Sequence, residues 1–180
     1  MTRLEELLLA RSVRRGDFVL ASGKRSSYYI DCRLTTMSAE GLTLVGSAGL
    51  AAIRAAGWDA TVVGGLTLGA DPVAYAIAAA SFGAGPVIDA FTVRKEPKAH
   101  GTRRLIEGNF HPGARAVVIE DVITTGESAL KAIDAIEREG GRVLGVLALV
   151  DREQGGERRI RQRGYGVVAI TTASRLGLEG

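Results

Sequence analysis

The sequence predicts an α/β fold in a single domain, a central mainly parallel sheet flanked by helices, and three observations carry that expectation. From about residue 40 onward, short runs rich in β-branched residues alternate with helical patterns. That order of strand, crossover helix and strand builds a parallel sheet covered on both faces. The 180 residues, 46% hydrophobic and 24% charged, are an ordinary globular balance with chain enough for one full core. The chain holds no internal repeat and no linker, so 1–180 reads as one domain, with 1–38 as a helix and small appendage and 39–180 as the core.

Each element has its own signal. Leu4, Leu7, Leu8 and Val13 give the spacing of an amphipathic first helix, closed near Gly16. Phe18 to Leu20 and Tyr28 to Ile30 read as two short strands around the polar turn Ser22 to Ser27. A Gly- and Ala-rich helix follows at Leu42 to Ala56, then an apolar strand at Ala60 to Val63 and a helix from about Pro72 to Ser81. Pro86 to Val93 and Ala114 to Ile119 are the next strands, and Leu130, Ile133 and Ile136 mark the apolar stripe of a helix at Ser128 to Arg138. Arg142 to Val150 is a strand, a short charged helix lies near Glu157, and Gly166 to Thr171 is the last strand.

In such sheets ligands bind beyond the carboxyl ends of the strands, which directs attention to loops 64–71, 94–108, 120–128 and 151–156. Charge singles out one of them. The formal net charge is +3, yet residues 94–104 alone hold Arg94, Lys95, Lys98, Arg103 and Arg104 against Glu96, a net of +4, while the remainder carries 18 basic and 19 acidic residues. A binder of nucleic acid would spread its surplus over a face; eleven residues holding all of it suit a small anion. Neither nucleic acid nor membrane is expected as a partner, since the least polar stretch, Pro72 to Ile88, is broken by glycines and falls short of the roughly 20 apolar residues of a spanning helix. Cys32, the single cysteine, has no internal disulfide partner and reads as packing, and no secretory leader opens the chain, so a cytoplasmic location is expected. Gly64 to Gly69 has the glycine spacing of a P-loop without its Lys and Ser/Thr, and His100, His111 and one cysteine make no zinc set.

The most informative segment is 117–128. A buried strand ends in Glu120 and Asp121, and a Thr-Thr-Gly turn then opens a helix. The first turn of that helix offers unpaired N–H groups and a positive dipole end, beside the hydroxyls of Thr124, Thr125 and Ser128: a phosphate cradle in which Gly126 lets the main chain approach the anion. Two carboxylates would repel a phosphate but accept hydrogen bonds from vicinal hydroxyls, so acids plus loop describe a ribose 5-phosphate. The alternative, a Thr124–Glu127 capping box at an ordinary helix start, leaves the acids unexplained. Residues 94–113 form a long connection without periodicity, often the mark of a functional lid, with a solvated basic loop as the alternative.

Residues 120–128 (EDVITTGES) resemble the phosphoribosyl pyrophosphate (PRPP) signature of the type I phosphoribosyltransferases. The resemblance implies that Glu120 and Asp121 take the sugar diol and that Val122, Ile123, Thr124, Thr125, Gly126, Glu127 and Ser128 belong to the PRPP site. Residues 94–101 (RKEPKAHG) resemble the catalytic loop of the orotate phosphoribosyltransferases in particular. By that resemblance Arg94, Lys95, Lys98 and His100 meet pyrophosphate, Lys98 has the main catalytic role with His100 beside it, and the loop reaches the active site of the other subunit of a homodimer. Residues 18–31 (FVLASGKRSSYYID) are similar to the family's N-terminal hood, which implies Tyr29 and Ile30 over the base. Arg152 matches the arginine that meets the orotate carboxylate, and Thr124 lies beside the base. Mg²⁺ is expected to ride on PRPP, with no metal site of the protein's own. Two positions depart from the pattern: Ala21, where many members are basic, and Leu68, where some carry a lysine that contacts pyrophosphate.

The implied reaction joins orotate to the ribose 5-phosphate of PRPP, releasing pyrophosphate, in pyrimidine biosynthesis. Two other readings keep part of this site: a phosphoribosyltransferase for a purine base, and a PRPP-sensing regulator that binds nucleic acid through the basic loop.

Overall fold

In the computed structural model, which describes residues 1–19, 23, 25–96 and 105–178, the chain opens with α1 (Arg3–Arg11). Its start is fixed by a capping box: the Thr2 hydroxyl accepts from the Glu5 N–H and the Glu5 carboxylate accepts from the Thr2 N–H. The helix closes sooner than its periodicity predicts. The Ser12 N–H bonds to the Leu8 carbonyl, and Val13 leaves the helix to pair with Ile30, opening β1 (Val13–Val19) against β2 (Arg25–Ile30). Val13 is thus apolar as a strand residue packed on the core, and Gly16 lies in a register shift of β1 instead of ending a helix. A single turn, α2 (Arg33–Thr36), is too short to show any period in the sequence.

The core then follows the expected alternation: α3 (Ala39–Ala55), β3 (Val62–Leu66), α4 (Ala70–Phe82), β4 (Asp89–Val93), β5 (Ile106–Gly108), β6 (Arg115–Ile123), α5 (Glu127–Arg138), β7 (Arg142–Asp151), α6 (Gly156–Gln162) and β8 (Val167–Thr172). The six strands stand in the order β5-β4-β3-β6-β7-β8, all parallel except β5, which runs antiparallel to β4. The predicted parallel sheet is therefore present. β5 is an addition: three residues inside the long connection, too few to leave a pattern.

Alternation along the strands sends side chains to two separate apolar layers. Val63, Val117, Ile119, Leu147 and Leu149 pack with Val45, Leu50 and Ile53 of α3 and Val73, Ala74 and Ile77 of α4. Val62, Ala116, Val118, Val146 and Ala148 pack on the other side with Ala129, Ile133 and Ile136 of α5 and Ile160 of α6. Burial on both faces is why these strands read as unbroken apolar runs. Leu4, Leu8, Tyr28, Ile30 and Cys32 join the first layer, so the N-terminal elements share the sheet's own core; burial pushes the Cys32 thiol up.

The topology also positions a site. After β3 the chain moves to β4 on one side of the sheet, and after β6 it moves to β7 on the other. The loops leaving the adjacent ends of β3 and β6 therefore diverge, which opens a crevice at the switch point.

Candidate active site

A cleft of about 620 Å³ occupies that crevice, bordered by Glu120, Asp121 and Val122 of β6, by Thr124, Thr125, Glu127 and Ser128 after it, by Leu66 to Gly69 after β3, and by Tyr29, Ile30, Asp31, Arg33, Lys95 and Arg152. β6 runs further than the sequence predicts. Glu120, Val122 and Ile123 still pair with Ala148, Val150 and Asp151 of β7, so the two acids lie within the strand and not beyond its end. That pairing draws Glu120 down to 6% exposure, with Asp121 only partly buried beside it.

Burial disfavours the ionised form, and it pushes the Glu120 carboxyl well above the usual carboxylate range, with the charge of Asp121 adding to the effect. Burial likewise raises the Asp121 carboxyl, against the opposing hydrogen bond that the Val122 N–H donates to its Oδ1 at 2.9 Å. Neither acid forms an ion pair among the described residues. The Thr67–Leu68 peptide is cis, and the next residue, Gly69, lies so close to Asp121 that a Cβ there would fall 2.5 Å from its carboxyl atoms.

The turn after β6 lacks the capping box. α5 has Gly126 at its N-cap with no side-chain hydrogen bond, and the Glu127 carboxylate pairs with Lys131 Nζ at 2.7 Å, one turn on, which lowers its pKa. Its first N–H groups have no partner within the helix and stand beside Thr124, Thr125 and Ser128 on the cleft. Gly126 serves a different purpose from the one the sequence suggests. It sits at φ +75°, where a side chain is strained, and a Cβ would meet the Gly156 carbonyl at 2.9 Å and Ile160 at 3.2 Å, on the protein side of the turn. Ile123, which the resemblance also assigns to the PRPP site, is wholly buried in the second layer and does not border the cleft.

Arg152 is 7% exposed, held from two directions. Its terminal nitrogen donates to Ser26 Oγ at 3.0 Å, and its guanidinium lies 4.5 Å from the centre of the Tyr28 ring. Its Nε is buried with no hydrogen-bond partner, and no acid pairs with it among the described residues. A buried guanidinium with an unused donor is completed by a planar anion. The sequence reading selects Tyr29 and Ile30 here, and both border the cleft, but it misses Tyr28 and Ser26. Period-two alternation was the signal available: Ser26, Tyr28 and Ile30 point inward from β2 and Tyr29 points out, against Phe18. Asp31 and Arg33, joined at 2.8 Å where the hood meets the core, are also additions.

Arg94 faces an adjoining hollow, lined also by Lys131 and Arg138, and Lys95 borders both spaces. Lys98, His100 and Ala21 lie outside the described residues. Among the described residues no group of three or more His, Cys, Asp or Glu side chains gathers as a metal site, and no helix is long and apolar enough to cross a membrane.

No family model matches the chain. Individual proteins do. An orotate phosphoribosyltransferase of Aquifex aeolicus is 46% identical over 177 residues, covering 97% of this chain and 96% of its own. The crystal structure of orotate phosphoribosyltransferase from Mycobacterium tuberculosis H37Rv in complex with Fe(III) dicitrate superposes with a TM-score of 0.85 at 46% identity and covers 97% of both chains. The same enzyme in complex with PRPP gives 0.80 at 42%, again over 97% of each chain.

Proposed function

The chain belongs to the orotate phosphoribosyltransferase family, and from that premise we propose that it transfers the ribose 5-phosphate group of PRPP to orotate, giving orotidine 5′-phosphate and pyrophosphate in pyrimidine biosynthesis. One observation carries the assignment of roles: a single cleft brings together two adjacent acids, Glu120 buried and Asp121 partly so, a helix start rich in hydroxyls, and a buried arginine without an acid partner. Each matches one part of the two substrates.

Loss of pyrophosphate leaves cationic character on the ribose ring, so the transition state is stabilised by groups that hold the sugar rigidly and take up charge on the leaving group. Glu120 and Asp121 accept from the ribose hydroxyls. The N–H groups and hydroxyls of Thr124 to Ser128 hold the 5-phosphate. Arg94, Lys95, Lys98 and His100 neutralise pyrophosphate, with Lys98 taking the largest share as the bond breaks. Arg152 receives the orotate carboxylate, with Tyr29, Ile30 and Thr124 around the ring. The orotate ring nitrogen that bonds to the anomeric carbon gives up its proton as the bond forms, and the departing pyrophosphate, itself a base, can take it. The hard carboxylate oxygens of Glu120 and Asp121 suit Mg²⁺ carried in on PRPP, and that ion would supply charge neutralisation at the diphosphate.

We read the chain as one domain, with residues 1–38 as helix and hood, acting in the cytoplasm as a homodimer whose basic loops are exchanged between active sites. The test is an ultraviolet assay of orotate consumption with PRPP and Mg²⁺. Turnover of orotate supports the reading; turnover of adenine or guanine in its place overturns it. Lys98→Ala is expected to lower kcat by roughly 100-fold or more with a smaller change in the KM for PRPP.

A further inference from the structure

Thr67, Leu68 and Gly69 join β3 to α4 along the cleft, and none of the three side chains is basic. What this loop offers a diphosphate therefore comes from its main chain, so its value as a binding element depends on how firmly that main chain is held. Gly69 is pressed against the Asp121 carboxyl on one side. On the other stands Asp71, in the first turn of α4 and 8% exposed. Its Oδ2 accepts from the Thr67 hydroxyl at 2.6 Å and its Oδ1 from the Thr92 hydroxyl at 2.8 Å. Thr92 lies on β4 opposite Gly65, two residues before Arg94, and its hydroxyl is also 2.8 Å from that of Tyr75.

No cation pairs with Asp71 among the described residues. An aliphatic side chain would fill this place with less desolvation cost; what a carboxylate adds is direction, two strong acceptors aimed at the loop after β3 and at the end of β4. We propose that Asp71 is a positioning residue, which orients the main chain of Thr67 to Gly69 toward the diphosphate of PRPP and locks that loop to the end of β4, where the basic segment begins. The proposal rests on the reading of the cleft as the PRPP site. It also explains how the loop serves with an uncharged Leu68: rigid main-chain groups do the binding.

The experiment measures initial rates of the full-length protein in both directions, orotate with PRPP and orotidine 5′-phosphate with pyrophosphate, alongside thermal unfolding. Asp71→Ala is expected to raise KM for PRPP and for pyrophosphate by roughly 10-fold or more, while KM for orotate stays within about 2-fold. Asp71→Asn, which still bonds both hydroxyls by accepting from one and donating to the other, restores most of the loss. Thr67→Val shifts the same two constants, and the double variant Asp71→Ala with Thr67→Val is no worse than Asp71→Ala alone, because the carboxylate acts through that hydroxyl. Unchanged PRPP and pyrophosphate constants in Asp71→Ala overturn the proposal, as does an equal loss toward all substrates that tracks a lower Tm. Should Asp71→Ala fail to fold, Thr67→Val alone decides: an unchanged KM for PRPP overturns it. A wild-type protein that does not turn over orotate sinks the site reading itself, an outcome distinct from any of these.

Discussion

The two ends of the cleft hold buried charge of opposite sign on neighbouring parallel strands, and they handle it differently. Glu120 and Asp121 sit within β6; Arg152 follows the last residue of β7, which pairs with Ile123. Glu120 and Arg152 are almost equally buried, at 6% and 7% exposed, and neither has an oppositely charged partner among the described residues. The acids relieve the cost of burial by holding their protons to higher pH. A guanidinium has no such recourse, and the fold compensates with the Tyr28 ring and the Ser26 hydroxyl. The sugar end is therefore tunable by pH. In the proposed function the substrates supply what each end lacks, hydroxyl donors to one and a carboxylate to the other.

The sharpest way to break this contrast is to remove the charge at each end in turn. Replacing both acids, Glu120→Gln with Asp121→Asn, is expected to lower kcat/KM for PRPP by about 100-fold or more, since two charge-assisted acceptors are lost, each worth about 1.5–3 kcal/mol. Arg152→Met removes one such site and should raise KM for orotate by roughly 10- to 100-fold, leaving PRPP nearly untouched. A pH series on the wild type then separates the ends without mutation. As pH falls through the raised carboxyl pKa values, Glu120 and Asp121 take up protons, and KM for PRPP should climb more than KM for orotate.

Stability gives the same contrast a subtler form. A carboxyl whose folded pKa lies above its unfolded one contributes stability that is full below the unfolded value and is lost as pH rises through the folded value. At pH 8, far above the ordinary carboxylate value, the free protein bears the cost of burying Glu120, whether as an anion or as a carboxyl made to hold its proton. Glu120→Gln should raise Tm there by roughly 2 °C or more without substrate, and the gain should vanish below the ordinary carboxylate pKa of about 4. Calorimetry at the two pH values checks it. The smallest effect belongs to Tyr28→Leu, which takes away a cation–π contact of about 0.5–2 kcal/mol and should raise the orotate KM severalfold at most.

Much of this was legible in the sequence, for identifiable reasons. β6, β7 and α5 announce themselves because burial on both faces of a sheet, or on one stripe of a helix, forces long apolar patterns, and Glu120 and Asp121 stand out as the acids that interrupt one. α2 and β5 escaped because four and three residues carry no period. Val13 was misplaced since an apolar residue fits a helix face and a strand face alike until the Ser12 N–H closes the helix. Gly126 stands out in the sequence as a position that excludes a side chain, but only the fold reveals that Gly156 and Ile160 exclude it. Tyr28 and Asp71 act through residues distant in the chain, Arg152 for one and Thr92 for the other, and pairings of that kind leave no local signature.

The division of labour between the two ends is tested most directly by a crossed measurement of four Michaelis constants, for PRPP and for orotate, in Glu120→Gln and in Arg152→Met. The expected result is a clean crossing: Glu120→Gln raises the constant for PRPP and spares orotate, and Arg152→Met does the reverse. If Arg152→Met weakened PRPP as much as orotate, or Glu120→Gln left PRPP unchanged, the assignment of the acids to the sugar and of the arginine to the base would be contradicted.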